Sequence, residues 1–330
     1  THKGLETQVD GWLNQVRAKV RLGAECPGSQ HDLCKLLDEM RLVKDKHEID
    51  ILRRAGLISA GAHVRAMQTS AAMLRSGFKG GPREYHLEAE LLHEFRRHGS
   101  EFPAYTSIVA AGANACVLHY RAGDAELKAG DLCLIDAGCE LGGYASDITR
   151  TFPANGQFTP AQRTLYDIVL AAQYAAIAVT QAGKRFTDPH DAATRVLIEG
   201  MLETGLLPKA KHGKVDDVLA SGAYRQFYMH RTSHWLGLDV HDCGRYAGTD
   251  LQAQQHTPPL TRHLQEGMVL TIEPGLYIRP SDAVPAHFHN IGIRTEDDAA
   301  VCAGDCELIS RGAPVAIDDF EASIACWPSA

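Results

Sequence analysis

Leu127-Lys-Ala-Gly-Asp-Leu-Cys-Leu-Ile-Asp-Ala-Gly138 is echoed by Leu264-Gln-Glu-Gly-Met-Val-Leu-Thr-Ile-Glu-Pro-Gly275 at a constant offset of 137 (264 − 127). Both copies read leucine, glycine, an apolar β-type run, an acid, a small residue and glycine. A second acid follows each copy on a later strand, Asp147 after the first and Glu296 after the second. Two copies are too few for a solenoid. They fit a duplicated β unit whose halves each present two acids to one shared cleft, although two apolar strands can also match by chance.

The acids carry the chemical argument. Asp136 and Glu273 each end an apolar run, where an ionised carboxylate is costly to bury. Together with Asp147 and Glu296 they bring four negative charges, which two divalent cations would balance. If a turn sits near Leu141-Gly142, Asp136 and Asp147 face each other across a hairpin at about 5 Å, close enough to share one cation. Arg294 and Glu296 stand two apart on a strand and so share a face. Histidines cluster in Met229-His-Arg-Thr-Ser-His-Trp-Leu-Gly-Leu-Asp-Val-His-Asp242, and His119 stands apart in Cys116-Val-Leu-His-Tyr120. One imidazole would complete a site of four acids, leaving the others to bond substrate or an oxyanion. Oxygen donors with a single imidazole favour Mn-like ions over the sulfur-rich zinc sites.

The 330 residues carry a net charge of −8, 45% hydrophobic and 22% charged side chains, ordinary values for a water-soluble domain. No basic run suggests a nucleic-acid track, and no apolar run is long enough to span a bilayer. Nine irregularly spaced cysteines read as reduced thiols of a cytoplasmic protein. Leu5, Val9, Trp12, Leu13, Val16 and Val20 form one helical stripe, followed by a linker. Residues 1–37 are therefore expected to be the tail and linker of a preceding domain, and 38–330 the catalytic domain. The patterning predicts helices over 46–68, 84–98, 161–182 and 188–204. It predicts strands over 105–111, 132–137, 144–152, 269–271, 276–279, 291–295 and 299–302.

Leu134-Ile-Asp-Ala-Gly-Cys-Glu140, Ser146-Asp-Ile-Thr-Arg-Thr-Phe-Pro153, Ser233-His-Trp-Leu-Gly-Leu-Asp-Val-His-Asp242, Thr271-Ile-Glu-Pro-Gly-Leu-Tyr277 and Ile291-Gly-Ile-Arg-Thr-Glu-Asp-Asp298 together resemble the pita-bread metallopeptidases, and within them the bacterial Xaa-Pro aminopeptidases. The resemblance implies an α+β creatinase/aminopeptidase-like fold, with two pseudo-symmetric halves of antiparallel sheet flanked by helices. It implies two divalent metal ions, commonly Mn²⁺, held by Asp136, Asp147, His234, Glu273 and Glu296. Asp147 and Glu296 would bridge the ions; Asp136 would bind one, and His234 with Glu273 the other. His119, His230, His241, Tyr277 and Arg294 would line the substrate site. The full-length form would be a homo-oligomer, a dimer or tetramer. The loop from Arg245 to Gln265 is longer than in the family and lacks the arginine found there at the substrate's far end.

The reaction so implied releases the N-terminal residue from peptides with proline in second position, through a metal-bridging hydroxide. Glu273 would act as general base and then donate the proton to the proline nitrogen, while His241 stabilises the oxyanion; His119 and Arg294 complete the catalytic set. Two rivals are an Xaa-Pro dipeptidase (prolidase) and a catalytically silent pita-bread binding protein. Retention of all five metal positions argues against the second, and against a creatinase-like hydrolase that needs no metal.

Overall fold

A computed structural model describes residues 4–247 and 262–325. The chain falls into two compact units, Thr1–Asp38 and Glu39–Ala330. In the first, α1 (Leu5–Arg17) is followed by a 3₁₀ turn at Val20–Leu22 and then by α2 (Leu33–Leu42), which runs into the second unit. Of the stripe expected on α1, Leu13 is buried, whereas Leu5, Trp12 and Val20 are exposed.

The second unit opens with α3 (Lys46–Arg75). It starts with a capping box: the Asp45 carboxylate accepts from the Glu48 N–H, and Glu48 accepts from the Asp45 N–H. The helix runs seven residues beyond the predicted end at Gln68. Its inner face is made of small residues, including Ala55, Gly56, Ser59, Ala62 and Ala66, so the helix lies close against its neighbours. At Gly56 an added Cβ would come within 2.5 Å of the Ile309 carbonyl oxygen. Next come α4 (Glu84–Arg97), β1 (Ile108–Ala111), β2 (Leu132–Asp136), the short pair β3 (Glu140–Leu141) and β4 (Tyr144–Ala145), and β5 (Thr149–Pro153). Strands β1, β2 and β5 form an antiparallel sheet with β2 in the middle.

Two long helices follow, α5 (Pro160–Val179) and α6 (Asp188–Glu203), which pack on each other as α3 does on α4. The short helices α7 (Lys209–His212) and α8 (Val215–Ser221) lead to β6 (Val269–Ile272), β7 (Gly275–Ile278), β8 (Ile291–Arg294), β9 (Asp297–Val301), β10 (Cys306–Leu308) and α9 (Ile317–Ala325). Strand β6 pairs with β9, which pairs with β10, and β7 pairs with β8. An isolated bridge from Trp235 to Leu270 flanks β6 on its other side. The two echoed stretches thus become β2 and β6, each with a neighbour on both sides. The halves meet at a bridge between Thr149 and Glu296.

Three expectations need correction. The predicted strand over 144–152 is broken, because Ser146–Ile148 leaves the ladder between β4 and β5. The turn is where it was expected, at Gly142-Gly143, but the register pairs Asp136 with Thr149 rather than with Asp147. Asp147 sits in the irregular segment, where its N–H donates to Asp298 Oδ2 at 3.0 Å. Likewise β8 ends at Arg294, so Arg294 and Glu296 do not share a regular strand. The expected long loop over 245–265 falls mostly on 248–261, outside the described residues. Among the described residues no helix is long and apolar enough to cross a membrane.

Helix α3 fixes the turn after Asp136. The His63 Nε2–H donates to the Ala137 carbonyl at 3.0 Å, and the Cys139 N–H donates to Ser59 Oγ at 2.9 Å. Burial pushes the His63 pKa down to about 4, which keeps the ring neutral and suited to this bond. Gly138 is packed so closely that an added Cβ would lie 1.7 Å from the Ser146 carbonyl oxygen, a backbone atom one residue from Asp147. Gly138→Ala should therefore lower folding stability by about 3 kcal/mol, the upper range for overpacking. Urea unfolding of the two proteins measures this, and a loss under about 1 kcal/mol would show that the turn can yield.

Candidate metal centre and cavity

A cavity of about 750 Å³ is lined among others by Asp136, Asp147, His234, Glu273, Arg294 and Glu296. Asp136 comes from the end of β2 and Glu273 from the residue after β6. Asp147 and Glu296 come from the irregular residues that precede β5 and β9. Donor atoms of Asp147, His234 and Glu296 lie within 4.8 Å of one another. His234 Nε2 stands 3.5 Å from Asp147 Oδ2 and 3.7 Å from Glu273 Oε1. Asp136 completes the group from the other side, accepting from Arg294 Nη2 at 2.5 Å.

The His234 tautomer follows from its neighbours. Nδ1–H donates to the Trp235 carbonyl at 3.0 Å, which leaves Nε2 facing the carboxylates, as a ligating imidazole requires. Glu296 is held by Thr149, whose hydroxyl donates to Oε2 at 2.5 Å. Its backbone is held by Arg150 Nη1, which donates to the Glu296 carbonyl at 2.6 Å, while Arg150 Nη2 pairs with buried Asp297 at 2.8 Å.

The electrostatics call for positive charge. Burial, then the neighbouring Asp136, raises the Asp147 pKa; burial, then Asp147, drives Glu296 well above the carboxylate range. Burial also raises Glu273, against the opposing pull of His234 and Arg294. Desolvation pulls His234 down, but its bond to Asp147 and the charge of Glu273 win and hold it at about 9. Four carboxylates, Asp147 and Glu296 buried and Asp136 and Glu273 half-buried, faced by Arg294 and one imidazole, with oxygen donors predominating, fit divalent cations.

The sequence-predicted substrate residues divide in two. His119, His230, His241 and Arg294 line the cavity, and the His241 ring lies 4.1 Å from the His234 ring. Tyr277 is buried behind the wall. Arg294 Nη1 donates to its hydroxyl oxygen at 2.9 Å, the hydroxyl donates to His230 Nε2 at 2.8 Å, and His230 Nδ1–H donates to the Arg231 carbonyl at 2.8 Å. Burial, then Arg294, pushes His230 down to about 3, so the ring is neutral, as this directional chain demands.

Three residues escaped the sequence reading. The Tyr105 hydroxyl bonds both Asp136 (2.6 Å) and Asp147. Thr149 holds Glu296, and Asp298 holds the backbone of Asp147. Thr149 and Asp298 sit inside quoted motifs and could have been flagged by position, whereas nothing local marks Tyr105.

The profile of Metallopeptidase family M24 matches residues 50–303. The Xaa-Pro aminopeptidase of Escherichia coli (strain K12) is 43% identical over 314 residues, 95% of this chain and 66% of its own length. That of Haemophilus influenzae is 44% identical over 286 residues, 87% of this chain and 61% of its own. The chain thus spans less than two thirds of either relative. Among solved structures, the aminopeptidase PepP of Pseudomonas aeruginosa superposes with a TM-score of 0.88 at 45% identity, covering 97% of this chain and 68% of that one. A zinc-substituted E. coli aminopeptidase P in complex with product gives a TM-score of 0.87 at 42% identity, covering 97% and 68%. The fold is therefore the pita-bread arrangement anticipated from the motifs.

Cation binding to this site must displace protons from His234 and from the raised carboxylates. In the cation-free protein His234 is protonated below about 9, so apparent affinity should climb as pH rises from 6 to 9. Calorimetric titration with Mn²⁺ in two buffers of different ionisation heat should show proton release shrinking over the same range. Pure Glu296→Gln protein should bind the ion at least tenfold more weakly and, because the same surroundings already disfavour a charged Glu296, should melt no lower than the parent when both are cation-free.

Proposed function

The chain belongs to Metallopeptidase family M24, and from that premise we propose that it is a dinuclear metallopeptidase releasing the N-terminal residue from peptides with proline in second position. The reading rests on one observation above others: two aspartates, two glutamates and the Nε2 of His234, turned toward them, converge in a single cavity. The curated relatives named Xaa-Pro aminopeptidase supply the substrate class. We assign Asp136, Asp147, His234, Glu273 and Glu296 to two divalent ions, with Mn²⁺ favoured by the oxygen-rich donor set. Bound there, such ions supply a water of lowered pKa as nucleophile.

The remaining work falls to the chain. Glu273, whose carboxyl takes up a proton readily because it is buried, is placed to accept the proton of the attacking water. The same group then returns it to the proline nitrogen, which carries no hydrogen before cleavage. Partial desolvation, then His234 beside it, lower the His241 pKa, which favours the neutral ring whose N–H can meet the developing oxyanion. Arg294 neutralises Asp136 and, through Tyr277, orients His230. His119, also on the cavity lining, is placed to meet the substrate. Cys26, Cys34, Cys116, Cys133, Cys139, Cys302 and Cys306 form no disulfide among the described residues, which favours a reducing, cytoplasmic setting.

The test is cleavage of an Xaa-Pro-Xaa tripeptide by this chain, before and after chelation and after Mn²⁺ is returned. Activity should vanish on chelation and in Glu296→Ala, and return with Mn²⁺ only in the parent. Cleavage of Xaa-Pro dipeptides alone would instead make it a dipeptidase, and full Mn²⁺ loading without hydrolysis of either would make it a binding protein. Tyr277→Phe, which removes the hydroxyl linking Arg294 to His230, should lower kcat/KM by about tenfold, the loss of one to two hydrogen bonds, with metal content unchanged.

A further inference from the structure

Away from the carboxylate cluster, a buried acid organises the wall that carries His119. Glu84, the first residue of α4, is fully buried. Its Oε1 accepts from the Ala111 N–H at 2.8 Å and from Asn114 Nδ2 at 2.9 Å. Its Oε2 accepts from the Tyr120 hydroxyl and the Gly123 N–H, each at 2.9 Å. All four donors are neutral, and the helix N-terminus adds favourable potential for the negative charge. Asn114 Nδ2 also donates to the Tyr120 oxygen at 2.9 Å, which closes a ring of three side chains. Burial, then the bond to Glu84, raises Tyr120 to about 12, so its hydroxyl stays protonated as a donor.

These contacts bracket the segment 111–123, which contributes Leu118, His119, Tyr120 and Arg121 to the cavity. The segment is also pressed against the strand that bears Arg294. An added Cβ at Gly292 of β8 would meet the Ala115 carbonyl carbon and oxygen at 2.4 Å. Its two ends and its middle are therefore tied to one carboxylate, while His119 itself is exposed at the cavity surface.

We infer that Glu84 is a positioning residue for the proposed peptidase, setting the wall that presents His119 and Tyr120 to the substrate. The inference rests on the function proposed above. Glutamine cannot replace the acid: whichever way its amide is turned, the NH₂ faces a backbone N–H, that of Ala111 or of Gly123, and backbone donors cannot rotate away. A shift of the wall by a fraction of an ångström should follow, and misplacement on that scale costs about 10- to 100-fold in rate.

The experiment compares Glu84→Gln, His119→Ala and the double variant on an Xaa-Pro tripeptide with Mn²⁺ content measured, and follows amide exchange of residues 111–123. Glu84→Gln should lose about 10- to 100-fold in kcat/KM while keeping its metal, but only about threefold when His119 is already alanine, because coupled sites are not additive. Exchange at Ala111 and Gly123 should quicken. Equal losses in both backgrounds, unaltered kinetics, or unchanged exchange would overturn the inference. Should Glu84→Gln fail to fold, Asn114→Ala replaces it, since that change leaves both backbone bonds and should act in the same direction more weakly. If the parent cleaves no Xaa-Pro peptide, the functional reading fails by itself and the exchange measurement alone judges Glu84.

Discussion

Four carboxylates share one cavity, and the rest of the architecture answers that constraint. Each would be more stable alone in water, and bringing them together adds repulsion to desolvation. Burial and mutual charge raise Asp147, Glu273 and Glu296 above their usual range. The chain tolerates this because the backbone beneath each acid is fixed by bonds that do not depend on the acid's own charge.

Those bonds cross the seam between the two halves. Arg150 on β5 reaches the Glu296 carbonyl and Asp297, and Thr151 Oγ1 donates to the Arg294 carbonyl at 2.9 Å while accepting from its N–H at 3.1 Å. Asp298 returns the favour by accepting from Asp147. Asp297 also accepts from Gln173 Nε2 at 3.0 Å, which ties α5 into the same network. Such a buried polar net favours one geometry, and with a member missing its partners are left unsatisfied.

Much of this was legible in the sequence, and the reasons differ by residue. Asp136 and Glu273 announced themselves because an acid ending an apolar run violates the usual logic of burial, and doing so twice at one offset made accident a poor explanation. Helix α3 was legible over 46–68, although its Asp45 cap went unread and its last two turns, Thr69 to Arg75, lacked a strong stripe. The short helices α7 and α8 and the strand β10 were missed because pieces of three to seven residues carry no usable period. The break at Ser146–Ile148 and the Asp136–Thr149 register were invisible, since they are set by contacts with Asp298 and Ser59 far away in sequence. Tyr105 and Glu84 belong to the same class: each is ordinary locally and is recruited only once distant segments come together.

The bridge from Thr149 to Glu296 has a consequence beyond geometry. Its partners are 147 positions apart, so the proposed ligand set would exist only when the two halves are docked. An ion held across that seam binds the closed arrangement and not the parted one. By mass action, a free concentration one hundred times its dissociation constant would deepen the closed state by about 2.7 kcal/mol. The ambient supply of the ion would then govern how often the seam breathes, and with it how long the polypeptide survives proteases that attack only opened chains.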